Sequence, residues 1–234
     1  FIDFNPCRMF WINDYIYGKE KNYIIIRSTY KDNPFISSVE KQYIEEKRNK
    51  PGWENWYKVY GLGEFGRLDD AIFTNWKYEN FDDTLSYAYG LDFGVKHKDA
   101  LVKVAVDNLK RRIYVKQELY ESGLSTQQLI NRLSKIISNK NSLIIADSAA
   151  PRSIADLQAA GFNVRAVVKS RIVDDIKILQ SYEICITEDS YDLARELQNW
   201  IWLDRKGEIP ADEGDDLIDA MRYVSMFMIN VNKK

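Results

Sequence analysis

Three aspartates stand where predicted elements begin or end, and their side chains share one chemistry. Asp92 closes an alternating run in Gly90-Leu-Asp92-Phe-Gly94, Asp147 follows the apolar run Leu143–Ala146, and Asp219 lies in the first turns of a helix beginning near Asp216. Carboxylates held within a few ångströms of one another repel and raise each other's pKa, a cost that a divalent cation relieves. Mg2+ is a hard ion that takes oxygen ligands in octahedral geometry and keeps several waters. Two such ions about 3.5–4 Å apart can flank a phosphate, activate a water and stabilise the leaving oxygen, so a pair of Mg2+ or Mn2+ ions is the cofactor this set suits. That chemistry needs neither histidine nor cysteine. The single histidine, His97, falls in a turn and is a poor general base. One at a time, each aspartate is an ordinary turn or cap residue; the inference rests on all three standing at element ends.

Several neighbours are secondary candidates. Asp216 is three residues before Asp219 and shares its helix face, which makes it an alternative metal ligand, although Asp215 or Asp216 would serve equally well as a helix cap. Asp99, opening the next strand, is within reach of Asp92. Lys169 and Arg171 follow a later strand, and Lys110-Arg111-Arg112 falls at a hairpin. These basic residues suit phosphate contacts, and solvated surface charge explains each of them as well.

The elements that must position these residues follow from periodicity. Leu85, Tyr87, Tyr89, Leu91 and Phe93 alternate with small or polar residues, which is a strand with one bulky and one small face. Ala100–Val106 and Arg112–Glu118 are further strands joined at Asp107-Asn108, giving three antiparallel strands in succession. Ser125 and Gln128 form a capping box for a helix striped by Leu129, Leu133, Ile136 and Ile137. Leu143–Ala146 is a short strand. Pro151 and Gly161 bracket another helix, and Val164–Val168 is a fifth strand. Helices over 171–181 and 191–200, an extended 183–187 and a last helix from Asp216 complete the chain. Strands alternating with helices imply parallel pairing. The order is that of an α/β, ribonuclease H-like mixed sheet, three antiparallel strands then parallel strands, flanked by helices. In such a sheet the first and fourth strands are parallel neighbours, so Asp92 and Asp147 end side by side and the last helix adds Asp219.

Residues 1–70 read as a smaller, mostly helical segment, followed by a linker over 71–84 and the mixed-sheet domain over 85–234. Tyr23–Ile26 is a short apolar run, Ser37 and Glu40 cap a helix reaching about Lys50, and Pro51-Gly52 punctuates the chain. Trp53, Trp56, Tyr57 and Tyr60 have the spacing of a packed helix face. Gly61-Leu-Gly63-Glu-Phe-Gly66 matches a dinucleotide fingerprint as a string, but a helix precedes it and an extended stretch follows, the reverse of what that fingerprint requires.

Bulk properties narrow the classes. The 234 residues carry a net charge of −2 and a pI of about 5.7, which argues against a free-standing strong nucleic-acid binder and predicts weak, salt-sensitive DNA binding. Cys7 and Cys185 are too far apart for a metal pair and form no disulfide framework, as in a reducing compartment. No apolar run of about 18 residues suits a membrane span, and the first residues do not resemble a signal peptide. No P-loop string occurs, so the chain has no Walker A loop with which to bind ATP.

The nuclease-like motifs have a family likeness. Gly-Leu-Asp92-Phe-Gly, Ile-Ala-Asp147-Ser and Leu-Ile-Asp219-Ala-Met-Arg-Tyr resemble the nuclease motifs of large terminase subunits of tailed bacteriophages, of the PBSX type. Phe4-Asn5-Pro6 resembles the coupling motif near the end of the terminase ATPase core, and Ser28–Pro34 and Leu62–Gly66 resemble the stretch leading into the nuclease. The resemblance implies a two-metal endonuclease cutting concatemeric double-stranded viral DNA during packaging, with a small terminase subunit and the portal as partners, in the cytoplasm of the host cell. It matches Asp92, Asp147 and Asp219 to the three catalytic acids. Members often carry a histidine where this chain has Asp216. It makes residues 1–70 the end of an ATPase domain whose nucleotide-binding segments would precede residue 1, in a trimmed protein or a shortened reading frame, so translocation by this chain alone is not expected. Two rivals remain. One is a Holliday-junction resolvase or transposase-like nuclease of the same fold. The other is a non-catalytic module docking to the portal.

Overall fold

The computed structural model describes residues 6, 21–50, 53, 56–65, 71–94, 98–203, 209–211 and 214–231. Phe4, Asn5, Cys7, Pro51-Gly52, Gly66 and His97 lie outside them. The chain divides into two compact units, residues 1–71 and 72–234.

In the first unit, Ser37 and Glu40 form the expected reciprocal capping box for helix α1 (Ser38–Glu46). The helix stops short of Lys50 because the Lys47 N–H already turns back to the carbonyls of Ile44 and Glu45. The Trp53–Tyr60 run packs on itself, with Trp56 ringed by Tyr43, Trp53 and Tyr60 at centroid distances of 6.0, 5.9 and 5.1 Å. It ends in a π-helical turn over Tyr57–Gly61, with Gly63 beyond it in the left-handed region. Tyr23–Ile26 joins no element and is exposed.

The second unit is a seven-stranded mixed sheet. Its strands are β1 (Trp76–Tyr78), β2 (Tyr87–Asp92), β3 (Lys98–Asp107), β4 (Arg112–Ser122), β5 (Leu143–Ala146), β6 (Asn163–Ala166) and β7 (Glu183–Ile186), in the spatial order β1-β7-β4-β3-β2-β5-β6. β2, β3 and β4 form the expected antiparallel run, and β5 joins β2 in parallel. Five helices follow the antiparallel run: α2 (Thr126–Ile136), α3 (Pro151–Ala159), α4 (Ile172–Gln180), α5 (Tyr191–Asn199) and α6 (Asp216–Val231). The capping box at Ser125 and Gln128 and the left-handed Gly161 after α3 are both present.

One expectation needs correcting. The stretch 71–84 is not a bare linker, because β1 pairs in parallel with β7 at the sheet edge. Ile72 and Phe73 are buried; the Ile72 N–H donates to the Trp200 carbonyl, and Phe73 stacks on the Trp200 ring. Three strand residues are too few for a period-two signal, so the sequence carries no mark of this edge.

The alternation of each strand divides the core. Ala88, Ala100, Val102, Val104 and Ile145 face α4, α5 and α6, whereas Tyr89, Leu91, Leu101, Ile144 and Ala146 face α2 and α3. A β-bulge lies where Leu101 pairs with Leu119 and Val102 with Gln117. The extra residue, Glu118, shifts the parity of β4, so Val115 faces one layer and Leu119 the other. On the α6 side the small face of β2 is a steric requirement: a Cβ on Gly90 would lie 2.0 Å from the Ala220 carbonyl oxygen and 2.8 Å from the Val224 side chain. Helix α6 therefore rests directly on the β2 backbone. Gly90→Ala should lower the melting temperature by the equivalent of about 1–3 kcal/mol, the usual cost of overpacking. Thermal denaturation checks this, and an unchanged transition would mean that the contact is slack.

Candidate active site

The close approach at Gly90 decides where the acids meet. Leu91 pairs with Ala146, and the Asp147 N–H donates to the Leu91 carbonyl at 3.0 Å, so Asp92 and Asp147 continue two parallel neighbours at the same sheet end. Asp92 follows Ala88 and Gly90 on the face covered by α6, and Asp147 follows Ile145 on that face. Asp219 immediately precedes Ala220, the residue seated on Gly90. Three elements thus deliver three carboxylates to one end of one face.

The electrostatics record the crowding. The Asp92 carboxyl is pushed up to about 8, first by burial and then by Asp219, Asp147 and Asp216, with Lys169 acting in the opposite direction. Cationic and polar groups offset the other acids. Lys169 Nζ is 2.6 Å from Asp147 Oδ1, which also accepts the Ala149 N–H at 3.1 Å. Asp219 Oδ1 accepts from Arg222 Nε at 3.2 Å and Nη2 at 2.9 Å, and its Oδ2 accepts the Tyr223 hydroxyl at 2.7 Å. Burial, and then Asp219, raises the Tyr223 hydroxyl pKa well above the ordinary range, which keeps it a donor. Arg222 reaches beyond the cluster through Nη1, 3.0 Å from Asp175 Oδ2.

The start of α6 is held from α5. Buried Glu196 accepts the N–H groups of Leu217 at 2.9 Å and Ile218 at 3.1 Å through Oε2, occupying donors that a helix N-terminus leaves open. Burial pushes its own carboxyl up to about 8. Asp216 accepts the Tyr120 hydroxyl at 3.3 Å and contributes to the Asp92 shift, so it borders the cluster. Asp215 precedes the helix, and its carbonyl accepts the Asp219 N–H.

Other candidates fall elsewhere. Asp99 precedes Ala100, which faces α6, so alternation turns Asp99 to the opposite face. There it accepts the Gly94 N–H at 3.2 Å; burial raises its carboxyl, and the acid acting on it is Glu121. Arg171 is exposed at the start of α4, where its carbonyl accepts the Asp174 and Asp175 N–H groups. The Lys110–Arg112 hairpin joins β3 to β4 at the opposite end of the sheet from Asp92. Lys169, a candidate for phosphate contact or for solvated surface charge, pairs with an acid of the cluster.

A second set of potential ligands exists. Donor atoms of Glu79, Glu183 and Cys185 lie within 4.8 Å of one another, a spacing the sheet-end acids do not reach. Charge decides between the two. Lys77 contacts Glu79 and Glu183 at 2.8 and 3.1 Å, and Arg112 contacts them at 3.3 and 3.0 Å, so two cations already balance two anions. The Cys185 thiol, pushed up to about 12 by burial and then by Glu79, stays protonated. The Asp92 group is the one left with anions in excess and with only hard oxygen donors, and its residues fit a divalent cation of the Mg2+ class.

Known phage proteins resemble this chain in sequence and fold. No family model matches the chain. The PBSX phage terminase large subunit of Bacillus subtilis (strain 168) is 26% identical over 201 residues, covering 80% of this chain and 46% of that protein. The g2p large terminase nuclease domain of bacteriophage SPP1, a crystal structure with bound Mn, superposes with a TM-score of 0.59 at 28% identity, covering 67% of this chain and 98% of that domain. This chain is similar to phage terminase large subunits. The P22 large terminase nuclease domain shares the fold, with a TM-score of 0.54 at 15% identity over 70% of this chain and 93% of that one. The chain spans less than half the length of its PBSX relative, and the ribonuclease H-like assignment of the terminase nuclease fold holds for its second unit.

The shifted carboxyl gives a test of the cluster. Asp92 binds its proton more tightly in the folded chain than unfolded, where its pKa is near 3.8. Metal-free stability is therefore lost as pH rises from about 4 through 8. Asp92→Asn cannot ionise, so at pH 8 in EDTA it should melt several degrees above the parent and lose that pH dependence. A melting temperature equal to or below the parent's would show that Asp92 bears no such penalty.

Proposed function

We propose that residues 72–234 form a divalent-metal-dependent endonuclease that cuts concatemeric double-stranded viral DNA during genome packaging. The observation that carries this reading is the convergence of Asp92, Asp147 and Asp219 from β2, β5 and α6, with the Asp92 carboxyl pushed up to about 8 by burial and then by its acidic neighbours. Support comes from the terminase homology and from the SPP1 nuclease domain, which is described with bound Mn.

In this reading Asp92, Asp147 and Asp219 hold two Mg2+ or Mn2+ ions, with Asp216 as an alternative ligand. Such ions, when bound, supply a water nucleophile at neutral pH and charge stabilisation for the leaving oxygen. The chain's own groups do the rest. Tyr223 and Arg222 fix the Asp219 carboxylate in one orientation. Lys169, exposed beside Asp147, is the cation best placed to meet a phosphate oxygen. Asp215 precedes α6, with its carbonyl accepting the Asp219 N–H, and Arg171 is exposed at the start of α4, so neither is assigned a step.

The remaining assignments rest on the homology. Residues 1–70 are read as the end of the ATPase domain, the small terminase subunit and the portal as partners, and the host cytoplasm as the setting. Among the described residues, no helix is long and apolar enough to cross a membrane.

Cleavage of supercoiled plasmid tests the reading. The parent chain should nick and linearise DNA with Mg2+ or Mn2+ but not with EDTA, and Asp147→Ala should lose at least a hundredfold in rate. Cleavage that persists in EDTA, or in Asp147→Ala at the parental rate, would contradict it, and strict selectivity for four-way junctions would favour a resolvase.

A further inference from the structure

One buried ion pair lies behind the acid cluster and belongs to none of its ligands. Asp175, on α4, is 3% exposed, and Arg222, on α6, is 5% exposed. Arg222 spans two carboxylates: Nη1 donates to Asp175 Oδ2 at 3.0 Å, while Nε and Nη2 both donate to Asp219 Oδ1. Asp175 is itself held by the Ser170 hydroxyl, which donates to its Oδ1. Ser170 is the next residue after Lys169, which pairs with Asp147.

Isolating charge in this way costs several kcal/mol per ion unless geometry and further hydrogen bonds offset it, and Arg222 has both. The pairing also settles how Asp219 can be used. Its Oδ1 already accepts two N–H groups, a full complement for a carboxylate oxygen. Among the described residues, its Oδ2 accepts only the Tyr223 hydroxyl, which leaves it a lone pair. Oδ2 is then the oxygen available to a cation, provided Arg222 stays turned to Oδ1.

We propose that Asp175 is a positioning residue for the metal site: by sharing the Arg222 charge and fixing the guanidinium, it leaves one oxygen of Asp219 free for the cation. This rests on the reading of Asp219 as a metal ligand. Without the Asp175 charge, Arg222 is balanced by Asp219 alone and competes with the cation for it. Groups behind metal ligands commonly contribute about 10–100-fold to affinity, so Asp175→Asn should weaken Mn2+ binding by about tenfold or more.

Calorimetric titration of Mn2+ into the full chain, alongside thermal denaturation, tests this with three proteins: the parent, Asp175→Asn, and Asp175→Asn combined with Arg222→Gln. The single substitution should weaken binding, and the double substitution should recover much of the loss because it removes the competing cation. A purely structural role would lower the melting temperature and leave the Mn2+ affinity of the folded protein unchanged, which would overturn the proposal. A double variant that binds as weakly as the single one would also overturn it. Should Asp175→Asn fail to fold, Ser170→Ala, which removes only the hydroxyl holding Asp175, should weaken Mn2+ binding about two- to fivefold, and an unchanged affinity would again overturn it. A parent chain that binds no Mn2+ would instead sink the reading of Asp219 as a ligand, a different failure from Mn2+ binding that is indifferent to Asp175.

Discussion

Carboxylates gathered at one end of a sheet repel one another, and the second unit is organised around holding that repulsion in place. At Asp92 burial, and then that repulsion, favours the neutral carboxyl up to about pH 8. The other two acids keep partners: Lys169 for Asp147, Arg222 and Tyr223 for Asp219. The cations are unequal. Lys169 is partly exposed and its side chain can leave, whereas Arg222 is buried and tethered on its far side by Asp175. One acid is thus paired with a movable charge and the other with a fixed one.

Packing keeps the acids from moving apart. Helix α6 rests on the bare backbone of Gly90, and Glu196 holds its first N–H groups from a neighbouring helix. Sliding α6 away would break both contacts and expose the apolar layer formed by Leu217, Met221 and Val224 against the sheet. The fold therefore supplies the force that electrostatics opposes, and a bound cation would bring the two into agreement. The spacing of Glu79, Glu183 and Cys185 shows why proximity alone does not mark a metal site: with Lys77 and Arg112 among them, nothing in that cluster is left uncompensated.

What was legible in the sequence is what local pattern can encode. Alternation in Leu85–Phe93 revealed both β2 and its small face, the capping pair Ser125 and Gln128 marked α2, and three acids at element ends marked the residues that meet at one sheet end. The spacing of Asp219, Arg222 and Tyr223 on one helix was also open to reading, because residues three and four apart share a face. Asp175 and Glu196 were not. Each acts on an element about 20 to 50 residues away, and a charged residue within an amphipathic helix gives no sign of being buried. Asp99 misled for a related reason: its distance in sequence from Asp92 is short, but strand alternation sends it to the other face. The three-residue strand β1 is too short for periodicity to betray.

The crowded carboxylates at the ends of β2, β5 and α6 are proposed as a cation site. Anomalous diffraction from crystals soaked in Mn2+ addresses this proposal directly. Mn2+ density should lie in contact with Asp92, Asp147 and Asp219, with Lys169 withdrawn from Asp147. Mn2+ density at Glu79, Glu183 and Cys185, or none beside Asp92 in protein known to bind the ion, would contradict it.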